Sequence, residues 1–206
     1  MNKYSVYAES IEFKPSRKGS IQFYKHHPDL KLIGTGRSAC AFRIRDTDKV
    51  IKIFPPQFEH VAQEEAEIYR VLENTDYFPT IYESGSNYIV MDFIEGHTLF
   101  ECLNKGVPID SEKIKEIDIV LELARQKGLN PSDIHLRNIF LTPASEIKLI
   151  DVARFKQKKQ CSQWDDLKNA YYRYYLKPYF PRKIPSFLLN LIAALYKSHL
   201  IPIPRK

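Results

Sequence analysis

Residues 131–151 read PSDIHLRNIFLTPASEIKLID. Asp133 and Asn138 are five apart, Asp151 follows Asn138 by thirteen, and two short apolar runs, 138–142 and 146–150, stiffen the backbone between them. For Asp133, set among the turn formers Asn130, Pro131 and Ser132, a turn or cap is the plain structural role. Asp151 is harder to explain that way. It closes the apolar run IKLI and precedes VARF, a setting that penalises an idle carboxylate. Mg2+ takes oxygen ligands, a few from protein and the rest from phosphate and water, and an aspartate beside such an ion can accept a proton from an incoming hydroxyl. The spacing points to a site rather than a surface.

Working outward toward the N-terminus, residues 30–36, 40–46 and 49–54 predict three short strands, with Pro55-Pro56 ending the third. Lys52 lies in the middle of that third strand. Alternation puts it on one face with Val50 and Phe54, where an ammonium needs a neutralising partner. From Phe58 to Leu72 the pattern turns helical, and Glu65 shares a face with Val61, Ile68 and Leu72, whereas Glu64 and Glu67 point to solvent. Glu65 is thus the partner expected for Lys52. Gly34-Thr35-Gly36 opens a strand–strand turn whose backbone amides phosphate oxygens can approach, although Gly-x-Gly is common in hairpins. Residues 80–85 and 87–93 predict a hairpin turning at Gly85–Asn87.

Beyond a break at 95–99, helices dominate. Asp110 or Ser111 caps one carrying Ile114, Ile117, Leu121 and Ala124 on one face and stopping at Gly128, and 164–176 and 185–198 read as the last two. The apolar run 187–196 is too short for a membrane span. It reads as a buried helix, with a membrane-surface or partner helix as the alternative. The expected class is α+β with two lobes and a ligand cleft between them: residues 1–94, including a polar leader at 1–28, and residues 95–206, with a hinge at about 91–96.

A chain of 206 residues with 44% hydrophobic side chains builds its core without staples. Cys40, Cys102 and Cys161 are widely spaced, and the six His show no ligand spacing, so neither a disulfide framework nor a structural zinc site is expected. No apolar run of signal-peptide type opens the sequence, and a cytoplasmic protein is expected. The net charge of +6 favours anionic partners, and Arg154, Lys156, Lys158 and Lys159 form the densest basic run, suited to an acidic or nucleic-acid partner.

In this order the parts resemble the protein-kinase-like superfamily over residues 30–155, with features of compact bacterial Ser/Thr protein kinases and of RIO-type kinases. The glycine-rich loop is matched by Gly34, Gly36 and Ser38 through Ala41, the strand lysine by Lys52, and the helix glutamate by Glu65. The hinge is matched by Met91, Asp92 and Ile94, and the catalytic loop by Asp133 to Asn138. The resemblance implies ATP, with Mg2+ or Mn2+ held by Asn138 and Asp151. It implies adenine packed among Ile33, Ala41, Val50, Phe140 and Ile150, Asp133 as base, and a protein Ser or Thr hydroxyl as acceptor. Departures stand beside it. The usual His-Arg-Asp is Pro131-Ser132-Asp133, Asp-Phe-Gly is Asp151-Val152-Ala153, and twelve residues between Asp151 and Trp164 exclude a long activation segment. A small-molecule phosphotransferase and a nucleotide-binding pseudokinase are the rival readings.

Overall fold

Alternation in residues 30–54 and 81–92 is realised as a five-stranded antiparallel sheet. A computed structural model of the chain describes residues 2–14, 21–198 and 200. Part of the leader, 15–20, and the closing residues 201–206 lie outside these. Two compact units divide the chain: Met1–Ile94 with Asp151–Ala153, and Glu95–Ile150 with Arg154–Lys206. The division falls between 94 and 95, and Asp151–Ala153 group with the first unit.

The first unit runs α1 (Lys3–Glu9), β1 (Glu12–Phe13), β2 (Phe23–Lys25), β3 (Leu30–Thr35), β4 (Cys40–Ile44), β5 (Lys49–Ile53), α2 (Glu59–Val71), β6 (Ile81–Ser84) and β7 (Tyr88–Asp92). The sheet order is β3-β4-β5-β7-β6. Ile51, Ile53, Tyr88 and Val90 turn to one face, where they form a core with Phe42, Ile44 and Leu30. Tyr7, Ala8, Ile11 and Ile21 of the leader complete that core. The described parts of the leader, 2–14 and 21–28, thus contribute to the core, and Asn2 caps α1 by accepting from the Tyr4 N–H at 3.2 Å. The other face carries Val50 and Lys52, opposite Met91 and Ile89. Helix α2 contributes buried Ala62, Glu65, Ala66, Ile68 and Tyr69.

The second unit contains β8 (His97–Thr98), α3 (Leu99–Lys105), α4 (Ser111–Gln126), β9 (Ile139–Leu141), β10 (Ile147–Leu149), α5 (Gln163–Ala170), a π-helical turn at Tyr171–Tyr175 and α6 (Ser186–Lys197). Strands β8, β9 and β10 pair in a small antiparallel sheet. Gly96 enters it at φ +131°, where a Cβ would collide with the Leu141 carbonyl. Thr98 and Glu101 close a capping box that starts α3, an element the expected hinge had hidden. Helix α4 buries Ile114, Ile117, Val120, Leu121 and Ala124 and ends before Gly128 at φ +81°. Asp110 is its N-cap residue, but the side chain makes no capping bond; the Asp110 carbonyl accepts from the Lys113 N–H instead.

The expectation of a buried last helix is overturned. Of α6, only Leu189 is buried, and Phe187, Leu188, Leu191 and Ile192 are exposed. Among the described residues no helix is long and apolar enough to cross a membrane.

Candidate functional site

The register of the first sheet sets Gly34 beside Ala41, Ala41 beside Lys52 and Lys52 beside Ile89, one row across β3, β4, β5 and β7. Cross-strand partners point to the same face, so two minimal side chains flank the lysine on one side. Val50 and Met91 form the adjacent row on that face. Ile33 sits at a bulge between Leu32 and Gly34 and is exposed. Nothing lies within 4 Å of where a Cβ on Gly34 would stand. No neighbour in the folded chain demands glycine there, and what its absent side chain leaves open is space over the strand. The turn is held by Gly36, whose N–H donates to the Ala39 carbonyl at 2.8 Å and whose carbonyl accepts from Ile21 at 2.9 Å. Ser38 is half-buried within that turn.

Lys52 Nζ donates to both oxygens of Glu65, at 2.7 and 2.8 Å, and to Asp151 Oδ1 at 3.0 Å. Glu65 is 0% exposed, and Asp151 is half-exposed. Burial alone draws the lysine's pKa down, but the carboxylates of Asp151 and Glu65 outweigh it and hold the ammonium protonated beyond its ordinary range. For Glu65, burial is the larger influence, pushing its carboxyl up to about 7 against the pull of Lys52. One turn further along α2, the Tyr69 hydroxyl accepts from the Asp151 backbone N–H at 3.0 Å. Burial and then the negative charge of Glu65 push the Tyr69 phenol upward, so it stays protonated. Asp151 adopts φ +61°, a left-handed conformation costly for any residue with a Cβ and least so for Asn and Asp. The bond from Tyr69 helps to hold it there.

Along the 91–94 segment, the Asp92 N–H donates to the Thr80 carbonyl at 3.2 Å and the Phe93 N–H to the Asp48 carbonyl at 2.9 Å. The Asp92 carboxylate accepts from the Thr80 N–H at 2.7 Å and the Tyr82 hydroxyl at 2.6 Å. An open recess of about 710 Å3 lined by Leu30–Leu32 and Arg43–Asp48 contains none of these groups except Asp48.

In the second unit, Asp133 also stands at φ +61°. The loop beneath it is built from its own polar groups. Asn138 donates through Nδ2 to the Asp133 carbonyl at 3.3 Å and through its N–H to the His135 carbonyl at 2.8 Å. Buried Ser132 donates to the Asn130 carbonyl at 3.0 Å. Asn130 in turn donates to the carbonyls of Phe155 and Gln157, at 2.7 Å each, which ties the loop to the segment after Asp151. Arg154 Nε lies 3.3 Å from Asp133 Oδ2. The arginine expected to serve an anionic partner is thus paired with the candidate base, and it is exposed, as are Lys156, Lys158 and Lys159. Arg137 stacks 3.5 Å over the Phe100 ring and donates to Asn190 of α6 at 2.8 Å. Phe140 lies on β9, and the Ile150 N–H donates to the Asn138 carbonyl at 2.9 Å.

The first unit therefore gathers Gly34, Ala41, Val50, Lys52, Glu65, Met91 and Asp151, and the second gathers Asp133 and Asn138. Tyr69 and the Arg154–Asp133 pair were not foreseen. The tyrosine's position four residues after Glu65, on the same helix face, was the available signal.

No protein-family model matches the chain. It is 48% identical over 172 residues to the "Putative serine/threonine-protein kinase YrzF" of Bacillus subtilis (strain 168), covering 82% of this chain and 80% of that protein. The chain belongs to the protein-kinase-like superfamily. This kinase-like chain is also 27% identical over 147 residues to the "Probable serine/threonine-protein kinase SCO3848" of Streptomyces coelicolor, and 25% identical over 186 residues to mouse Nek10. It spans only 20% and 17% of the length of those two proteins. Among solved structures, the bifunctional kinase-methyltransferase WbdD aligns with a TM-score of 0.51 at 21% identity, over 81% of this chain and 43% of that one. The α+β fold, an antiparallel sheet followed by a reduced helical half, is the protein-kinase-like fold.

Proposed function

We propose that the chain is an ATP-dependent phosphotransferase that moves the γ-phosphate of ATP to a Ser or Thr hydroxyl of a protein. The observation that carries this reading is Lys52, a permanently charged ammonium held by two carboxylates beneath a strip of sheet cleared of side chains at Gly34 and Ala41. A structural ion pair has no need of that clearance. A nucleotide's phosphates do.

The donors present fit a hard divalent cation. Asp151 offers a half-exposed carboxylate, and Asn138 has its amide nitrogen committed to the Asp133 carbonyl, which leaves its amide oxygen as the atom that would take a cation. Among the described residues no cluster of three His, Cys, Asp or Glu would cage a metal by itself, so such a cation relies on phosphate oxygens as well. When bound, Mg2+ would neutralise charge on the phosphates. Lys52 would hold phosphate oxygens and Glu65 would aim it. With the N–H groups of Asp92 and Phe93 donating to Thr80 and Asp48, that of Ile94 would be the hinge donor for adenine, and Val50, Ala41, Ile33, Phe140 and Ile150 would pack on its ring. Asp133 would orient the acceptor hydroxyl and take its proton at Oδ1 or Oδ2. Arg154, 3.3 Å from that carboxylate, would place a positive charge beside the transferring group. The exposed Lys156, Lys158 and Lys159 suit an acidic region of the acceptor or another anionic partner.

The test is transfer from labelled ATP with Mg2+, reading autophosphorylation, protein acceptors and free phosphate, for wild type beside Asp133→Asn. Asparagine tolerates the left-handed backbone that alanine does not. Nucleotide binding should persist in the variant while transfer falls at least a hundredfold. Equal turnover removes Asp133 as base. Wild type that binds ATP and phosphorylates nothing is a pseudokinase, and consumption of ATP only with amino alcohols, aminoglycosides or sugars makes it a small-molecule kinase.

A further inference from the structure

Helix α6 is turned inside out. What joins it to the rest of the second unit is one narrow side: Leu189, 7% exposed, packs with Phe100 and Ile184; Asn190 accepts from Arg137; and the Tyr196 hydroxyl donates to buried Asp166 at 2.7 Å. At 100° per residue, Phe187, Leu188, Leu191, Ile192 and Leu195 fall on the opposite arc. Phe187 is 71% exposed and Leu191 51%. A surface helix usually turns such an arc toward the core and leaves its polar side to water. Immediately upstream, Tyr172, Tyr174, Leu176 and Tyr179 add further exposed apolar surface.

Charge distribution identifies what the arc faces. Residues 171–206 contain seven Lys or Arg and no Asp or Glu, whereas the first 170 carry 24 basic and 25 acidic side chains. The stretch that displays the apolar arc thus carries +7 and the first 170 residues −1. Arg182 and Lys183 precede α6 and Lys197 closes it, all exposed. A second copy of the chain would bring the same positive charge onto itself. A nucleic acid would match the charge but gain nothing from leucine and isoleucine. A surface that is apolar within and anionic at its rim matches both features.

We propose that α6, with the segment 172–183 before it, is a docking surface for anionic lipid. The helix lies in the headgroup plane, with the Phe187–Leu191–Leu195 side at the acyl boundary and Arg182, Lys183 and Lys197 on lipid phosphates. At twelve residues it reaches about 18 Å and rests on the bilayer without crossing it. Exposed tyrosines suit the interface, where an apolar ring and a wet hydroxyl are both accommodated. None of this depends on the phosphotransfer reading.

The test is co-flotation of the full chain with phosphatidylcholine vesicles, with and without phosphatidylglycerol. Binding should require the anionic lipid and weaken as salt is raised. Arg182→Glu with Lys183→Glu should weaken it by on the order of tenfold or more. Phe187→Ser with Leu191→Ser should abolish it, while circular dichroism and the melting temperature of both double variants stay at wild-type values. Equal binding to neutral vesicles, or unchanged binding by the charge-reversed variant, overturns the proposal. So does a wild-type dimer in light scattering that the Ser variant dissociates without any vesicle binding, or salt-sensitive capture of RNA in place of vesicles.

Discussion

Glu65 is a carboxylate in a place that charges avoid, and its environment makes a sharp statement about pH. Burial raises its folded-state pKa from an ordinary value near 4.5 to about 7. A raised acid contributes stability that is complete below about 4.5 and lost as pH rises through 7, because only the unfolded chain ionises freely between those values. Wild type should therefore lose on the order of 3 kcal/mol relative to Glu65→Gln between pH 4.5 and 7.5, read from urea midpoints at each pH. Lys52→Met tests the same pair from the other side. At pH 8 it removes the ammonium that lets Glu65 ionise and should cost about 3–5 kcal/mol, and at pH 5 much less, since the neutral acid needs no counter-ion. The Lys52–Glu65 pair was legible in the sequence because an ammonium in an apolar strand demands neutralisation; Asp151 was singled out as a metal ligand and not as a second partner of Lys52. The roles of Tyr69 and Arg154 were not legible. Their partners are a backbone N–H 82 positions away and a carboxylate in a different segment, which no local pattern announces.

At the scale of elements, periodicity bounded by turn residues located β3, β4, β5, α2, the β6–β7 hairpin, α4, β9 and β10 to within a residue or two. It failed where an element is too short to show a period or where its dry face is not its apolar one. Helix α1 is seven residues and β8 only two. The last helix was found but assigned the wrong surroundings, since amphipathic spacing tells which side is apolar and not what covers it. The structural weight of α1 can be measured. Tyr7 is 2% exposed in the first unit's core and donates to Asp29 at 3.1 Å. Tyr7→Ala should cost about 3–5 kcal/mol in chemical denaturation. A loss below about 1 kcal/mol would show that the leader merely rests on the sheet.

For the molecule as a whole, a nucleotide that binds the folded chain alone must raise its melting temperature. At a hundredfold excess over the dissociation constant the gain is about 2.7 kcal/mol, or about 5–10 °C for a chain of this size. Mg-ATP should produce that shift in wild type and in Asp133→Asn, and not in Lys52→Ala. A chain that melts identically with and without nucleotide would contradict the proposed function while leaving the superfamily assignment untouched. The route of the backbone has a consequence of its own. Because Asp151–Ala153 cluster with the first ninety-four residues, while the residues on either side of them cluster with the remainder, the polypeptide passes between the two units at 94/95, again at 150/151 and back at 153/154. No single scission can release either unit whole. A fragment cut at residue 94 would keep Lys52 and Glu65 but forfeit the second anion bound to that ammonium, so separately expressed halves should regain their properties only when mixed, as a complementation pair.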